Sequence, residues 1–255
     1  MSRKSAFDLN DRTVLITGGA RGIGRALSEA LLAHGCTIIP VGRDRAALDA
    51  FARQHPGRVH PWCADLSNPR NVDALVRDLP GAHPDLSLVV NNAGLQTAAN
   101  YIQDDVEALA PAARREIAVN FDAVVRLSTG LLPFLLTRRS AGIVNISSSL
   151  AVAPKKSAPV YCATKAGVRN FTRALSYQCE DQAPHVRIFD VVMGLVDTDM
   201  TAGRASGKIP PAQAAHEILE GVRRGHGTIP VAQAKALLAI ARIAPGLAAR
   251  VLRNS

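Results

Sequence analysis

A chain of 255 residues, 47% of them hydrophobic, carries enough apolar material to bury the core of one large α/β domain. Its formal charge of +9 suits an anionic ligand or surface. Aromatic residues make up only 4%, however, and no Lys/Arg tract is interleaved with stacking side chains, which argues against nucleic acid as a partner.

Met1 to Asn10 has basic residues without an apolar stretch behind them, so no cleaved signal is expected. No run approaches the ~18 apolar residues of a membrane-spanning helix. Cys36, Cys63, Cys162 and Cys179 show neither Cys-x-x-Cys spacing nor His partners at metal-site distances. They read as free thiols of a reducing compartment. A cytoplasmic protein without a metal site is expected.

The apolar run Thr13-Val14-Leu15-Ile16 predicts a first buried strand. It leads into Thr17-Gly18-Gly19-Ala20-Arg21-Gly22-Ile23-Gly24, and a helical pattern runs from Arg25 to His34. Strand, glycine turn and helix in that order make a phosphate-binding βα unit. Gly18 permits the tight turn, Gly22 removes a side chain where a diphosphate approaches, and Gly24 lets the helix pack close to the sheet. The helix N-terminus then faces the diphosphate with its free N–H groups and dipole.

Cys36 to Val41 is the second strand. An acidic residue at its end would grip the ribose 2′-hydroxyl of NAD. Here Gly42 and Arg43 follow instead, and Arg43 supplies a cation for a 2′-phosphate, with Arg21 as a second. NADP(H) is therefore favoured over NAD(H). Asp44 reads as the cap of a helix over Arg45 to Gln54. Val59 to Trp62 begins a third strand that leads to Asp65 and Leu66, and Asp65 is a candidate cap for a helix starting near Pro69.

Leu86-Ser87-Leu88-Val89-Val90 is a strand buried on both faces, and it ends in Asn91-Asn92-Ala93-Gly94. Small residues there allow close backbone approach, and the amides both donate and accept, as a turn lining a cofactor cleft requires. A long helical pattern from Ala112 to about Arg138 contains Asn120.

Gly142 to Ile146 is the fifth strand, with Ser147-Ser148-Ser149 at its carboxyl end, the edge where open α/β sheets bind ligands. Tyr161 lies thirteen residues after Ser148, and Lys165 four after that, which places phenol and ammonium on one helix face. A phenol with a reference pKa near ~10 exchanges protons poorly at neutral pH, and a neighbouring cation favours the phenolate. Tyr161 can then act as acid or base on an oxygen that Ser148 holds by hydrogen bond.

Val186 to Val192 is the sixth strand, followed by Met193-Gly194-Leu195-Val196-Asp197-Thr198. Thr201 to Pro211 is polar and small, as a mobile substrate lid would be. A helix over Pro211 to Arg224 and a short strand over Thr228 to Val231 complete the expected domain. Residues 232–255 form a basic amphipathic tail, expected to pack against a partner subunit rather than to lie on an anionic membrane.

Three mutually spaced motifs, Thr-Gly-x-x-x-Gly-x-Gly from Thr17, Asn-Asn-Ala-Gly from Asn91, and Tyr-x-x-x-Lys thirteen residues past Ser148, resemble those of the short-chain dehydrogenase/reductase family. The resemblance extends from Arg12 to about Val231. Gly42-Arg43, Leu95-Gln96 and the Val-Asp-Thr segment are similar to bacterial oxidoreductases like the short-chain protein associated with the D-alanyl-lipoteichoic acid operon. The resemblance implies one domain over residues 1–255, a Rossmann-type doubly wound sheet, mostly parallel, of about seven strands flanked by helices. It implies that Gly18, Arg21, Gly22, Ile23, Gly24 and Arg43 bind the cofactor, with Asp65 and Leu66 at the adenine and Asn92, Ala93 and Gly94 along the cleft. Val196 would meet the carboxamide and Thr198 the phosphates, while Lys165 also grips the nicotinamide ribose and Tyr161 shares the site.

In the same family pattern Asn120 joins Ser148, Tyr161 and Lys165 as catalytic residues and completes a proton route to solvent. The substrate is then a small carbonyl or alcohol, and the protein a homodimer or homotetramer. Met193 replaces the family's proline, which puts the stiffness of that loop in question. The alternative reading is a catalytically silent NADP(H)-sensing protein; relatives of that kind usually lose the Tyr or the Lys, and both are present here.

Overall fold

The computed structural model describes residues 6–203 and 207–254. Seven strands form one sheet: β1 (Thr13–Thr17), β2 (Thr37–Gly42), β3 (Trp62–Cys63), β4 (Leu86–Asn91), β5 (Ala141–Ser148), β6 (Val186–Met193) and β7 (Thr228–Pro230). Their spatial order is β3-β2-β1-β4-β5-β6-β7, and every pairing is parallel. The chain steps outward from β1 in one direction and then, from β4, in the other. This reversal opens a crevice beyond the carboxyl ends of β1 and β4, where such sheets bind ligands.

Successive residues of β1 serve opposite cores. Val14 and Ile16 pack with Leu27 and Leu31 of α1 (Gly22–Ala33) and with Ile218 and Val222 of α7 (Pro211–Arg223). Leu15 packs with Leu75 and Leu79 of α3 (Pro69–Ala82) and Leu127 and Leu131 of α5 (Ala123–Leu135). Two-sided burial is why the strands read as continuous apolar runs rather than alternating ones. Asp44 caps α2 (Arg45–Gln54) as expected, accepting from the Ala47 amide at 3.1 Å.

Four features differ from expectation. The third strand is reduced to two residues plus a separate Ile38–Val59 bridge, because Pro40 of β2, the next donor in line after Ile38, has no N–H to give the His60 carbonyl. Asp65 does not cap α3; Asn68 does, accepting from the Arg70 amide at 3.0 Å. The long helix starts earlier, at Val106 behind the cap Asp105, and carries Pro111 within α4 (Val106–Ile117), a residue that argues against helix in sequence. It then widens into a π turn over Ala118–Asp122 before α5.

That rod, Val106–Leu135, also contains an 18-residue window of mean hydropathy 1.3, long and apolar enough to cross a membrane. No uninterrupted apolar run signals it in sequence. Leu127, Leu131 and Leu135 are nevertheless fully buried against the sheet, as in a core helix.

The tail forms α8 (Ala234–Ile243) and α9 (Pro245–Leu252), which meet each other and Ala153 in a small satellite core with Leu237 and Ala248. Ile243, Leu247 and Val251 stay exposed.

Candidate active site

Thr17, at the end of β1, fastens the turn after β4 to the glycine turn. Its Oγ1 accepts from the Asn92 and Ala93 amides, both at 2.9 Å, and the Asn92 side chain donates to the Thr17 carbonyl at 2.9 Å. Gly18 (φ +68°) and Gly22 (φ +51°) adopt the left-handed conformation that the turn needs. Gly24 plays the packing role: a Cβ there would fall on the Gly18 carbonyl oxygen and 2.6 Å from Asn92 Nδ2.

The N-terminus of α1 has no side-chain cap. Its first turn therefore leaves main-chain donors for an anion, and the residues present fit a dinucleotide diphosphate. A groove of about 290 Å³ runs along this edge. It gathers Gly18, Arg21, Gly22 and Ile23 of the turn, Arg43, Asp65 and Leu66 beside it, Asn92, Ala93 and Gly94 below it, and Thr198 across it. Gly24 and Val196 lie buried behind the groove, where only backbone can contribute to it.

Charge at the Arg43 end of the groove is arranged unevenly. Arg21 is joined to Asp44 at 3.0 Å, so the second expected cation already has a carboxylate partner. Arg43 is exposed and forms no ion pair among the described residues. Asp65 accepts from the Ser67 amide at 2.9 Å and its hydroxyl at 2.7 Å. These bonds, with help from Arg43, hold its carboxyl below the usual range.

At the other end, α6 (Pro159–Gln182) lies beside the carboxyl end of β5. Lys165 is 3% exposed, and its ammonium donates to the Ile146 carbonyl at 2.7 Å. The same Nζ sits 5.8 Å from the centre of the Tyr161 ring, one helical turn earlier. Burial pushes Lys165 down to about 8, with Glu116 opposing the shift. Ser148 is buried at the strand end, and its Oγ accepts from the Leu150 amide at 3.1 Å, which leaves the hydroxyl proton to donate.

Ser147 is committed elsewhere. Its single hydroxyl proton goes to Asp190 at 2.5 Å, with the Val191 carbonyl as a second acceptor at 3.0 Å, and Asp190 in turn holds Arg169 at 2.8 Å. Of the two serines, Ser148 is therefore the one left to face a substrate.

Asn120 occupies the π turn, fully buried. Its Oδ1 accepts from the Leu95 amide and its Nδ2 donates to the Leu95 carbonyl, both at 2.7 Å; a longer bond of 3.3 Å reaches Thr164 of α6. The side chain clamps the loop that follows Asn-Asn-Ala-Gly rather than pointing into open space. A Cβ on Gly94 would lie 3.5 Å from Asn120 Oδ1 and 3.6 Å from Lys165 Nζ, so both converge on one glycine.

Sequence reasoning missed the buried polar chain beneath the site. Asn91 donates to Ser128 at 3.1 Å and to Asn145 at 2.8 Å, and Asn145 donates to Thr172 at 2.9 Å. It ties β4 and β5 to α5 and α6. Asn145 inside an otherwise apolar strand was the available signal. The loop after β6 holds its shape without the proline: the Gly194 amide donates to Val231 and the Leu195 amide to Gln233, both at 3.1 Å. Of the expected lid, Thr201 ends a short turn over Asp199–Thr201, its Oγ1 accepting from the Thr198 amide at 3.1 Å, and Lys208 reaches Asp197 at 3.4 Å. Residues 204–206 of that segment lie outside the described residues.

A doubly wound parallel sheet with a glycine turn at its crevice, and a serine, a tyrosine and a buried lysine at its carboxyl edge, defines a dinucleotide-binding oxidoreductase. The family model described as "short chain dehydrogenase" matches residues 12–208, and the chain belongs to the short-chain dehydrogenase/reductase family. It is 35% identical to the uncharacterised oxidoreductase DltE of Bacillus subtilis over 75% of this chain and 74% of that protein. It is 34% identical to human L-xylulose reductase, over 79% and 78% respectively. A crystal structure of a short chain dehydrogenase from Burkholderia cenocepacia in complex with NADP superposes with a TM-score of 0.84 at 25% identity, covering 96% of this chain and 99% of that one. Similar folds hold NADP in some structures and NAD in others.

Proposed function

We propose that this oxidoreductase is an NADP(H)-dependent carbonyl reductase in which Tyr161 gives the proton and Ser148 holds the substrate oxygen. The observation that carries the reading is the buried Lys165, fixed on the Ile146 carbonyl beneath the Tyr161 ring and one strand end from Ser148. The nicotinamide, when bound, supplies the hydride. Tyr161 protonates the oxygen that forms, and the Lys165 ammonium stabilises the phenolate left behind. Asn120 serves this chemistry by fixing the Leu95 backbone beside Lys165.

Lys165 keeps its charge below a pH of about 8 and loses it above. The rate of reduction is therefore expected to fall on the alkaline side of that value, as a pH profile of kcat would show. The relatives suggest the panel: L-xylulose and other small polar carbonyls, assayed with NADPH and NADH.

Arg43 carries the cofactor preference in this reading, because Arg21 is engaged by Asp44. Arg43→Ala is expected to weaken NADPH binding about 10- to 100-fold, the worth of a charge-assisted contact, and to leave NADH nearly unchanged. Fluorescence titration with both cofactors checks this, and equal losses for the two would remove the assignment. The reading includes a homodimer or homotetramer in the cytoplasm. Exposed Ile117, Leu136 and Tyr177 on α4, at the end of α5 and on α6 support an apolar subunit contact, which light scattering tests.

A further inference from the structure

One buried ionisable group takes no part in the chemistry above. Glu116, in the last turn of α4 and four residues before Asn120, is 1% exposed, and no side chain partners its carboxyl oxygens, which have only the Thr97 main-chain amide near them, short of a well-formed hydrogen bond. A lone acid in that position is destabilising unless something compensates it. It lines a small cavity closed by Pro159 and Val160 of α6 and by Tyr101 and Leu109, with about 10 Å³ of space, roughly one water.

The titratable groups that face it are few. Asn120, one turn on from Glu116, brackets Gly94 together with Lys165 Nζ, 3.5 and 3.6 Å from a Cβ placed there, which brings Lys165 of α6 up to the turn that follows Glu116; Cys162 is the other α6 group, and Tyr101 lies across the cavity. Burial pushes the Cys162 thiol up, so it stays neutral and offers no countercharge. The Thr97 main-chain amide also favours the ionised carboxyl. Lys165 is the cation of the set. Burial drives Glu116 up to about 7, with Thr97 and Lys165 opposing; it drives Lys165 down to about 8, with Glu116 opposing. Each group resists the neutralisation that burial alone would impose on the other.

We propose that Glu116 is a positioning residue that acts through Lys165, its carboxylate holding the buried ammonium charged across the α4–α6 contact and so setting the pH range over which Tyr161 is assisted. The inference rests on the reading of Tyr161 and Lys165 given above. The sign follows directly. As pH rises through the neutral range Glu116 ionises, and the new negative charge defends Lys165 just where it would begin to lose its proton. Without the carboxylate, Lys165 deprotonates earlier and the alkaline limb of activity moves toward neutrality.

The test is a lysine ¹³Cε NMR titration of the full chain, wild type against Glu116→Gln, with the Lys165 signal assigned from Lys165→Arg. The Lys165 midpoint is expected to fall by about half to one pH unit in Glu116→Gln while the other lysines stay in place. The alkaline limb of kcat moves with it, and KM does not. Glu116→Asp, which keeps the acid, restores most of the wild-type midpoint. Glu116→Ala, which also removes the charge, carries the comparison if the glutamine variant fails to fold. A Lys165 midpoint unchanged from wild type in folded Glu116→Gln or Glu116→Ala overturns the proposal. The NMR readout needs no turnover: a shifted midpoint in a protein that reduces no carbonyl would sink the enzymatic reading and leave the coupling standing.

Discussion

Tyr161→Phe is expected to lower carbonyl reduction by about 10²- to 10⁴-fold while NADPH binding stays within a few-fold of wild type. Phenylalanine keeps the aromatic ring that lies over Lys165 at 5.8 Å and the half-buried packing of the first turn of α6. It removes the hydroxyl alone. With no activated acid left beside the forming alkoxide, the barrier rises by the worth of general acid catalysis, which at 1.36 kcal/mol per tenfold is about 3–5 kcal/mol.

Ser148 still holds the oxygen in that variant, because its Oγ is oriented by the Leu150 amide rather than by Tyr161. Substrate binding should therefore survive, and the loss should appear in kcat. Single-turnover oxidation of bound NADPH separates the two. A variant that consumes substrate as fast as wild type would transfer the proton role to another group and remove Tyr161 from the mechanism.

The parts of this site that were legible in the sequence are those fixed within one element. The glycine turn needs nothing beyond its own backbone, and Tyr161 and Lys165 are one helical turn apart whatever surrounds them. The choice of Ser148 over Ser147 came from its spacing to Tyr161 in the family pattern; strand alternation adds only that the two face opposite sides. What could not be read depends on partners far away in sequence. Asn120 lies in a π turn whose side-chain contacts are Leu95, twenty-five residues earlier, and Thr164, forty-four later. Asp65 read as the cap of α3, but the Ser67 hydroxyl claims its carboxylate and Asn68 caps the helix instead.

Glu116 is the clearest case. In sequence it is one acid among Arg114, Arg115 and Glu107 on a charged helix, where a solvated face is the ordinary expectation. Its burial is created by α6 packing over it, and no local pattern encodes that. The same holds for Arg21, whose pairing with Asp44 depends on how the ends of β1 and β2 come together.

Gly24→Ala provides the second large expected effect, and its sign runs against helix propensity. Alanine is favoured over glycine inside a helix by about 1 kcal/mol, and Gly24 lies in the first turn of α1. The added methyl, however, meets the Gly18 carbonyl oxygen and comes within 2.6 Å of Asn92 Nδ2. Neither neighbour can yield. Gly18 is held by its amide bond to the Val41 carbonyl at 2.7 Å, and Asn92 by its bonds to Thr17. Overpacking against fixed backbone costs about 1–3 kcal/mol or more, which outweighs the propensity gain. For a chain of this size each kcal/mol is about 2–4 °C in Tm, so a fall of several degrees is expected in a thermal melt.

The functional loss should exceed the structural one. To clear the methyl, α1 must withdraw from the sheet, and the uncapped N-terminus that faces the groove withdraws with it, so NADPH affinity is expected to drop at least about tenfold. Gly22→Ala supplies the contrast. There the Cβ finds the Thr198 Cγ2 at 3.5 Å, an ordinary contact, and the strain comes from φ +51° alone, worth about 1–2 kcal/mol. Gly24→Ala melting at the wild-type temperature and binding NADPH normally would mean that α1 does not rest on the glycine turn as closely as Gly18, Gly24 and Asn92 indicate.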